Sequence, residues 1–422
     1  MALVDAGFFL LPVLAVLAPL AARGLGRWVR VPVIVFELAL GIAVGPSVLG
    51  WVAPSEILDL LSSFGLALLF FMAGNEIDFA GVRGRPAVRA SVGWVVSLVA
   101  GLAIGWLIAP GDPAVFIGIA LASTALGALL PMLRDAGELD TPWGRAVTAV
   151  GAVGEFGPLV AISLFLGTRG FGMASIVLGV FVLVAAGAII FAARFEHGHI
   201  HRLVTATLHT SGQMAVRIVF LIVGVLVALS LWFDLDMLLG AFVAGVLWKL
   251  VMRNADAPLQ EAVESKVEAV AFGFLVPLFF LYTGISFDLA AMLSSWRAIA
   301  LVPIFVIALL VVRGIPSAFA APDGATPRDR GALALLGATG LPIIVAVTSI
   351  GIDQGSLDTG TAAALVGAGM LSVLLFPFVG MALRGDRSVV TTPAFDPVVL
   401  DVPPATLQRR ATDPDDQHPG VK

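Results

Sequence analysis

Long apolar stretches alternate with short polar loops along the length of this chain. Thirteen of the stretches approach the roughly 20 residues that an α-helix needs to cross a lipid bilayer. We therefore predict an all-α integral membrane protein with thirteen transmembrane helices. The predicted spans are residues 7–25, 32–50, 57–78, 87–109, 113–133, 145–167, 171–193, 213–232, 235–252, 268–288, 298–320, 330–351 and 358–384.

The basic residues favour one orientation of these spans. With the N-terminus outside, all but three of the 24 lysines and arginines fall on the cytoplasmic side. Arg169 and Arg297 fall outside, and Arg313 lies within a span. Because cytoplasmic loops are enriched in Lys and Arg, this bias supports thirteen spans and a cytoplasmic C-terminus. We expect a multi-pass protein of the cell (inner) membrane.

Composition narrows the possible functions. The chain is 59% hydrophobic and 13% charged, against about 25% charged residues in soluble domains. It has no cysteine, which excludes disulfides and zinc–thiolate sites. No HExxH, GxSxG, Walker or dinucleotide-binding motif occurs. We therefore expect no enzymatic activity, no cofactor and no nucleic-acid partner.

Four of the five histidines fall in the predicted cytoplasmic connector, where a solvated loop is favoured over a pH sensor.

The two halves of the chain resemble each other. Residues 64–80 are FGLALLFFMAGNEIDFA, and residues 272–290 are FGFLVPLFFLYTGISFDLA. Seven spans separate the copies, so they have opposite orientations in the membrane. This predicts an inverted-topology repeat of six helices, with span seven as the connector. Such repeats are typical of secondary transporters, whose binding site lies between the repeats near the midplane.

Two charged residues lie inside predicted spans of different halves. Glu155 is near the middle of span six, and Arg313 lies within span eleven. A charge near the bilayer centre costs roughly 3 kcal/mol or more and usually marks a functional site. Their repeat-related positions are uncharged, which favours one ion site. The alternative is a buried salt bridge that only fixes the helices.

Spans five and twelve each place hydroxyl residues beside Gly or Pro. The segments contain Ser123 and Thr124 in ASTALG, and Thr339, Gly340 and Pro342 in GATGLP. This pattern predicts two broken helices that cross in the core, where freed carbonyls could bind a cation. Alternatively, Gly and Thr merely allow close helix packing.

Four further acids lie in or near spans. We expect Glu76, Asp78 and Asp288 at the membrane interfaces, because they fall at span ends. Glu37 lies a few residues inside span two and is a structural or gating candidate.

Several segments resemble the monovalent cation:proton antiporter-2 family of sodium/proton exchangers. The similarity is carried by VPVIVFELALGIAVGPSVLG, LFFMAGNEID, ASTALGALLPMLRDAGELDTPWG, FLVPLFFLYTGISFDL and LLGATGLPIIVAVTSIG, and it covers about residues 7–384. The resemblance implies a homodimer with mobile core helices and static scaffold helices. The implied divisions are scaffold 1–86, core 87–168, linker helix and cytoplasmic loop 169–212, scaffold 213–296, core 297–384 and a disordered cytoplasmic tail 385–422.

The resemblance also implies roles for the membrane charges. An acid on span six binds the cation or proton, which matches Glu155, and a basic residue on span eleven opposes it, which matches Arg313. Thr124 and Thr339 match the crossover of the broken helices. Relatives usually carry Asp in span six, often after a polar residue, whereas this chain has Gly154 and then Glu155.

The expected function is exchange of Na⁺ or K⁺ for H⁺ by alternating access, with a role in pH homeostasis. Glu155 would bind the monovalent cation or the proton, helped by Thr124 and Ser123, with Arg313 as a fixed charge. One titrating carboxylate predicts electroneutral 1:1 exchange. The alternatives are a cation-coupled symporter of an organic anion, and a membrane sensor that transports nothing.

Overall fold

The computed structural model describes residues 2–25, 32–77, 84–167, 171–194, 213–252 and 257–385. All regular elements in these ranges are helical. The histidine-containing loop, Asp78, Arg169 and the predicted tail from residue 386 onward lie outside the described residues.

Eight helices account for the first part of the described chain. They are α1 (Ala2–Leu25), α2 (Val33–Val44), α3 (Glu56–Glu76), α4 (Arg85–Ile108), α5 (Pro113–Leu121), α6 (Leu126–Asp135), α7 (Pro142–Phe165) and α8 (Phe171–Arg194).

Ten helices and two π-helical segments follow in the second part. The helices are α9 (Met214–Trp232), α10 (Met237–Met252), α11 (Ala257–Val270), α12 (Val276–Ile285), α13 (Leu289–Ser294), α14 (Trp296–Ala308), α15 (Ile315–Ala318), α16 (Pro327–Gly337), α17 (Pro342–Asp353) and α18 (Thr359–Arg384). The first π segment is Ala271–Leu275, and the second is Leu309–Gly314.

Helical residues occupy all the predicted spans. Within the described residues, nine helical segments are long and apolar enough to cross a membrane, judged by length and composition. Four shorter apolar helices coincide with the predicted spans one, two, seven and nine. The all-helical prediction is thus confirmed, whereas the count of thirteen spans and the inverted repeat stay predictions.

Predicted spans five and twelve are both interrupted. Residues 122–125 separate α5 from α6, and residues 338–341 separate α16 from α17. The two connecting segments meet, because the Ala125 amide donates a hydrogen bond to the Thr339 carbonyl at 2.7 Å. Pro342 is the first residue of α17, where its missing N–H costs no helical hydrogen bond. The two half-helix pairs therefore form one crossover.

The helix of predicted span ten begins earlier than hydropathy indicates. The prediction starts at residue 268, whereas α11 begins at Ala257 and continues through the first π segment into α12. Residues 257–267 include Glu261, Glu264 and Lys266, so a hydropathy pattern excludes them although the backbone stays helical. A π turn widens a helix locally and is often found near functional sites.

Glycines let the helices approach closely. A Cβ atom on Gly245 of α10 would overlap the Phe71 carbonyl oxygen of α3, and one on Gly74 of α3 would overlap the Phe242 carbonyl oxygen of α10. The same relation joins α2 to α12, because Gly41 and Gly284 lie against each other's helix backbones. Small residues at such contacts increase van der Waals packing where lipid supplies no hydrophobic driving force.

The α3–α10 contact predicts how two glycine substitutions differ. Gly245→Ala should lower the melting temperature in detergent, because overpacking costs about 1–3 kcal/mol. Gly224→Ala on α9 is the matched control: no atom lies within 4 Å of its Cβ position, so the melting temperature should hold or rise slightly. Equal melting temperatures of the two variants would contradict this packing.

Candidate functional site

Thr124 joins three elements at the crossover. Its amide donates to the Gly154 carbonyl of α7 at 2.9 Å. Its hydroxyl donates to the Gly337 carbonyl at 2.6 Å and accepts from Arg313 Nε at 2.8 Å. Gly337 is the last residue of α16. Thr124 therefore ties the break after α5 to α7, to the end of α16 and to the buried guanidinium.

Arg313 is fully buried, with 0% of its surface exposed. It belongs to the second π segment. Besides the bond to Thr124, its Nη2 donates to the Val150 carbonyl of α7 at 2.7 Å. Its Nη1 has no hydrogen-bond partner within the described part of the chain. Because arginine keeps its proton in proteins, this is a permanent positive charge within the protein core.

Glu155 lies on α7 with 2% of its surface exposed. The backbone N–H of Leu126 interacts with its carboxylate, and Leu126 is the first residue of α6. Its Oε2 has no hydrogen-bond partner among the described residues. The carboxylate therefore lies at the N-terminus of a half-helix and keeps an oxygen available for a ligand.

Glu155 and Arg313 do not form an ion pair with each other, taking the described salt bridges and hydrogen bonds together. Each charge is instead associated with a helix end of opposite sign. A helix carries about half a positive charge at its N-terminus and half a negative charge at its C-terminus. Glu155 meets the N-terminus of α6, and Arg313 reaches the C-terminal carbonyl of α16 through Thr124.

The packing explains why Gly154 precedes the acid. A Cβ atom there would overlap Arg313 Nη2 and the Thr124 side chain. The guanidinium and the threonine thus occupy the space that a polar side chain would need. In this chain, Arg313 from the second π segment and Thr124 from the break after α5 fill that space.

The other predicted crossover residues are brought together, with local hydrogen bonds. The Ser123 hydroxyl donates to the Ala120 carbonyl at 2.7 Å, and the Thr339 hydroxyl donates to the Leu335 carbonyl at 3.2 Å. Both hydroxyls bond back to the helix that precedes their break. Gly340 packs beside Ser123, where a Cβ atom would lie 2.9 Å from the serine oxygen.

Sequence reasoning missed Ser372 on α18. The Gly340 amide donates to Ser372 Oγ at 3.1 Å, and this hydroxyl also contacts the carbonyls of Gly369 and Gly340. Ser372 thus holds the second break as Thr124 holds the first. In the sequence, a serine that bonds to another segment looks the same as a serine that bonds only to its own helix.

The three other acids that the structure describes occupy different settings. Glu76 ends α3, and we expected it at the interface; one of its carboxylate oxygens is buried without a partner in the described residues. Glu37 is buried, with 4% exposed. Asp288 is exposed and caps α13, as expected of an interfacial residue.

A small cavity of about 20 Å³ adjoins Glu155, close to the volume that one water molecule requires. Helices α2, α3, α6, α7, α12, α17 and α18 contribute to its wall. The lining residues are Ile34, Leu69, Gly127, Ala128, Glu155, Phe272, Phe280, Leu341, Pro342 and Val373. Phe272 belongs to the first π segment.

A larger cavity of about 370 Å³ lies along the same helices. Its wall includes Asp59, Ser62, Tyr282 and Ser349. On α3 it ends at Leu66, one turn before Leu69 of the small cavity. The two cavities therefore follow one boundary, between α3 and α12 on one side and α17 and α18 on the other.

Comparisons with known proteins show which family the chain resembles. The family model for the transmembrane sodium/hydrogen exchanger matches residues 13–381. YjbQ of Bacillus subtilis is 27% identical over 82% of this chain and 58% of its own length. The Na⁺/H⁺-K⁺ antiporter GerN of Bacillus cereus is 26% identical over 88% of this chain and 94% of GerN.

A solved structure matches the fold. The sodium proton antiporter MjNhaP1 of Methanocaldococcus jannaschii, determined at pH 8, superimposes with a TM-score of 0.66 at 16% identity, covering 91% of this chain and 99% of that one. The chain thus carries the exchanger fold, and the family model covers most of its length. This protein belongs to the sodium/hydrogen exchanger family of membrane transporters.

Proposed function

We propose that this protein exchanges a monovalent cation, Na⁺ or K⁺, for H⁺ by alternating access, with Glu155 as the group that carries one or the other. The observation that supports this most directly is the state of its carboxylate. It is buried, faces a cavity, and is not neutralised by the neighbouring arginine.

The exchange follows from competition for one carboxylate. Burying a charged carboxylate without a positive partner costs free energy. Glu155 would therefore hold either a proton or a cation. The free Oε2 and the cavity beside it could hold a small dehydrated cation. The cation would displace the proton, and the proton would later displace the cation at the other face.

Arg313 has a fixed electrostatic role in this proposal. When Glu155 has released both ligands, the guanidinium and the N-terminus of α6 offset the negative charge. Thr124 holds Arg313 Nε at 2.8 Å, so we assign to Thr124 the positioning of this charge. Ser123 and Thr339 shape the crossover, whose backbone carbonyls would help to bind the cation. These roles need no Glu155–Arg313 ion pair. In the alternative of a sensor that transports nothing, such a pair would stabilise the core.

Access to Glu155 is proposed along the boundary between two sets of helices. The cavity of about 370 Å³ reaches within one helical turn of the cavity beside Glu155. The proposed motion shifts α6, α7, α17 and α18 relative to α2, α3 and α12. It would open or close a path between the larger cavity and the cavity beside Glu155. Dipole ends that move with Glu155 would keep its environment constant during the movement.

The setting in the cell belongs to the same proposal. We place the protein in the inner membrane as a homodimer, with the N-terminus outside and the C-terminus cytoplasmic, and with a role in pH homeostasis. The basic residues support this orientation. GerN's name includes both Na⁺ and K⁺, so each alkali cation belongs in the tests.

Substitution of Glu155 tests the assignment. Glu155→Gln should reduce cation-driven proton movement in proteoliposomes to the protein-free background for every alkali cation, because an amide neither binds nor releases the proton. The matched control is Glu56→Gln, an exposed residue at the start of α3, which should exchange as the wild type does. Persistent exchange by folded Glu155→Gln would refute the proposal, and cation-coupled solute uptake instead would favour the symporter.

The coupling ratio can be tested with a clamped membrane potential. One titrating carboxylate and a permanently charged arginine predict one cation per proton, so no net charge crosses the membrane. Initial rates of Na⁺-driven proton movement should therefore be the same at zero and at negative potential, set with valinomycin and potassium. A rate that follows the potential would rule out 1:1 exchange while leaving Glu155 as the carrier.

A further inference from the structure

A second buried cluster of charges lies away from the crossover, at the C-terminus of α18. Arg384, the last residue of α18, donates from Nε and Nη2 to the two carboxylate oxygens of Glu138, each at 2.9 Å. Its Nη1 donates to Asp329 Oδ1 at 2.7 Å. The guanidinium carbon lies 4.3 Å from the ring centroid of Trp143. We call these four residues the Arg384 clamp.

The clamp residues are buried and well hydrogen-bonded. The side chains of Arg384, Glu138 and Asp329 are 10%, 11% and 8% exposed. The Thr141 hydroxyl donates to Glu138 Oε2 at 2.8 Å, and Trp143 Nε1 donates to the Asp329 carbonyl at 3.0 Å. Burial alone would raise the pKa of Glu138, but the hydrogen bonds from Arg384 and Thr141 outweigh it and hold that pKa below its ordinary value.

The positions of the two carboxylates explain what the clamp joins. Glu138 follows α6 by three residues, and Asp329 lies in the first turn of α16. Helices α6 and α16 are 10 and 11 residues long, or roughly 15 Å at the usual rise. Their opposite ends are Leu126, which meets Glu155, and Gly337, which accepts from Thr124. One guanidinium therefore joins the far ends of both half-helices that support the membrane charges.

We propose that Arg384 is a positioning residue for the ion site, holding α6 and α16 in one fixed relation so that their dipole ends stay at Glu155 and at Arg313. Helices from the two halves of the chain share no covalent connection near this point. The bidentate fork to one carboxylate and the third bond to the other fix both distance and angle, which a single lysine charge does not. The effect on transport rests on the proposed exchange; the effect on helix geometry does not.

The geometry can be measured directly because the chain has no cysteine. Asp140 and Arg330 are exposed residues beside Glu138 and Asp329. Spin labels on Asp140→Cys and Arg330→Cys should give a narrow distance distribution by pulsed electron paramagnetic resonance. Arg384→Gln should at least double its width. An unchanged distribution would overturn the proposal.

A matched control and a milder variant complete the distance test. Asp323→Asn breaks the exposed pair with Arg89, in which the aspartate side chain is 72% exposed, and should leave the distribution unchanged. Glu138→Gln removes one carboxylate charge and keeps Asp329. It should also broaden the distribution, and it carries the test if Arg384→Gln does not fold. Equal broadening by Asp323→Asn would show that the effect is not specific to the clamp.

Transport separates positioning from a merely structural role. Arg384→Gln should raise the cation KM about five-fold or more, since small displacements at a preorganised site are costly, while the maximal rate per folded protein changes less. Arg384→Lys should recover part of the loss. A change in folded yield alone, with KM unaltered, would contradict the proposal. If the wild type moved no cation, the proposed exchange would fail, and the distance distributions would still decide the clamp.

Discussion

The candidate site depends on two buried charges that lie at helix ends of opposite sign and form no direct ion pair with each other in the described residues. The broken helices bring an N-terminus and a C-terminus to the same level of the protein, next to α7. Glu155 faces the amide end of α6, and Arg313 reaches the carbonyl end of α16 through the Thr124 hydroxyl. Both breaks therefore have an electrostatic purpose, because an unbroken helix has no dipole end in its middle.

This separation matters for exchange. In a direct ion pair, a cation would have to displace a guanidinium that cannot lose its proton, and the displaced charge would remain buried. Here Arg313 already has its own partners in Thr124 and the Val150 carbonyl. In the proposed exchange, the carboxylate would therefore change its ligand while the guanidinium stays in place. Gly154 is part of the same arrangement, since a side chain there would expel Arg313 from its position.

The apolar pattern predicted the helices well, because a membrane span must satisfy its own backbone and the lipid selects for length and hydropathy. It also singled out Glu155 and Arg313 as candidates, since a charge in such a span is conspicuous. Thr124 followed from its place beside Gly and Pro. The early start of α11 escaped prediction, because charged residues can continue a helix without any hydropathy signal.

The missing parts of the site depend on three-dimensional contacts. The π segments shift the register of Phe272 and Arg313 through hydrogen bonding that local composition does not specify. Ser372 and the Arg384 clamp join residues distant in sequence, each ordinary in its own segment. Glu76 fell at a predicted span end, yet its carboxylate is partly enclosed by neighbouring helices. None of these contacts leaves a recognisable pattern in the sequence.

The most direct test of competition at Glu155 is the number of protons released when a cation binds to the purified protein. Calorimetric titration with Na⁺ and K⁺ in buffers of different ionisation enthalpy measures this number, since a group that must be deprotonated to bind a metal ion releases its proton. The account predicts about one proton per bound cation in the wild type and none in Glu155→Gln. Cation binding without proton release, or equal release by the variant, would contradict it.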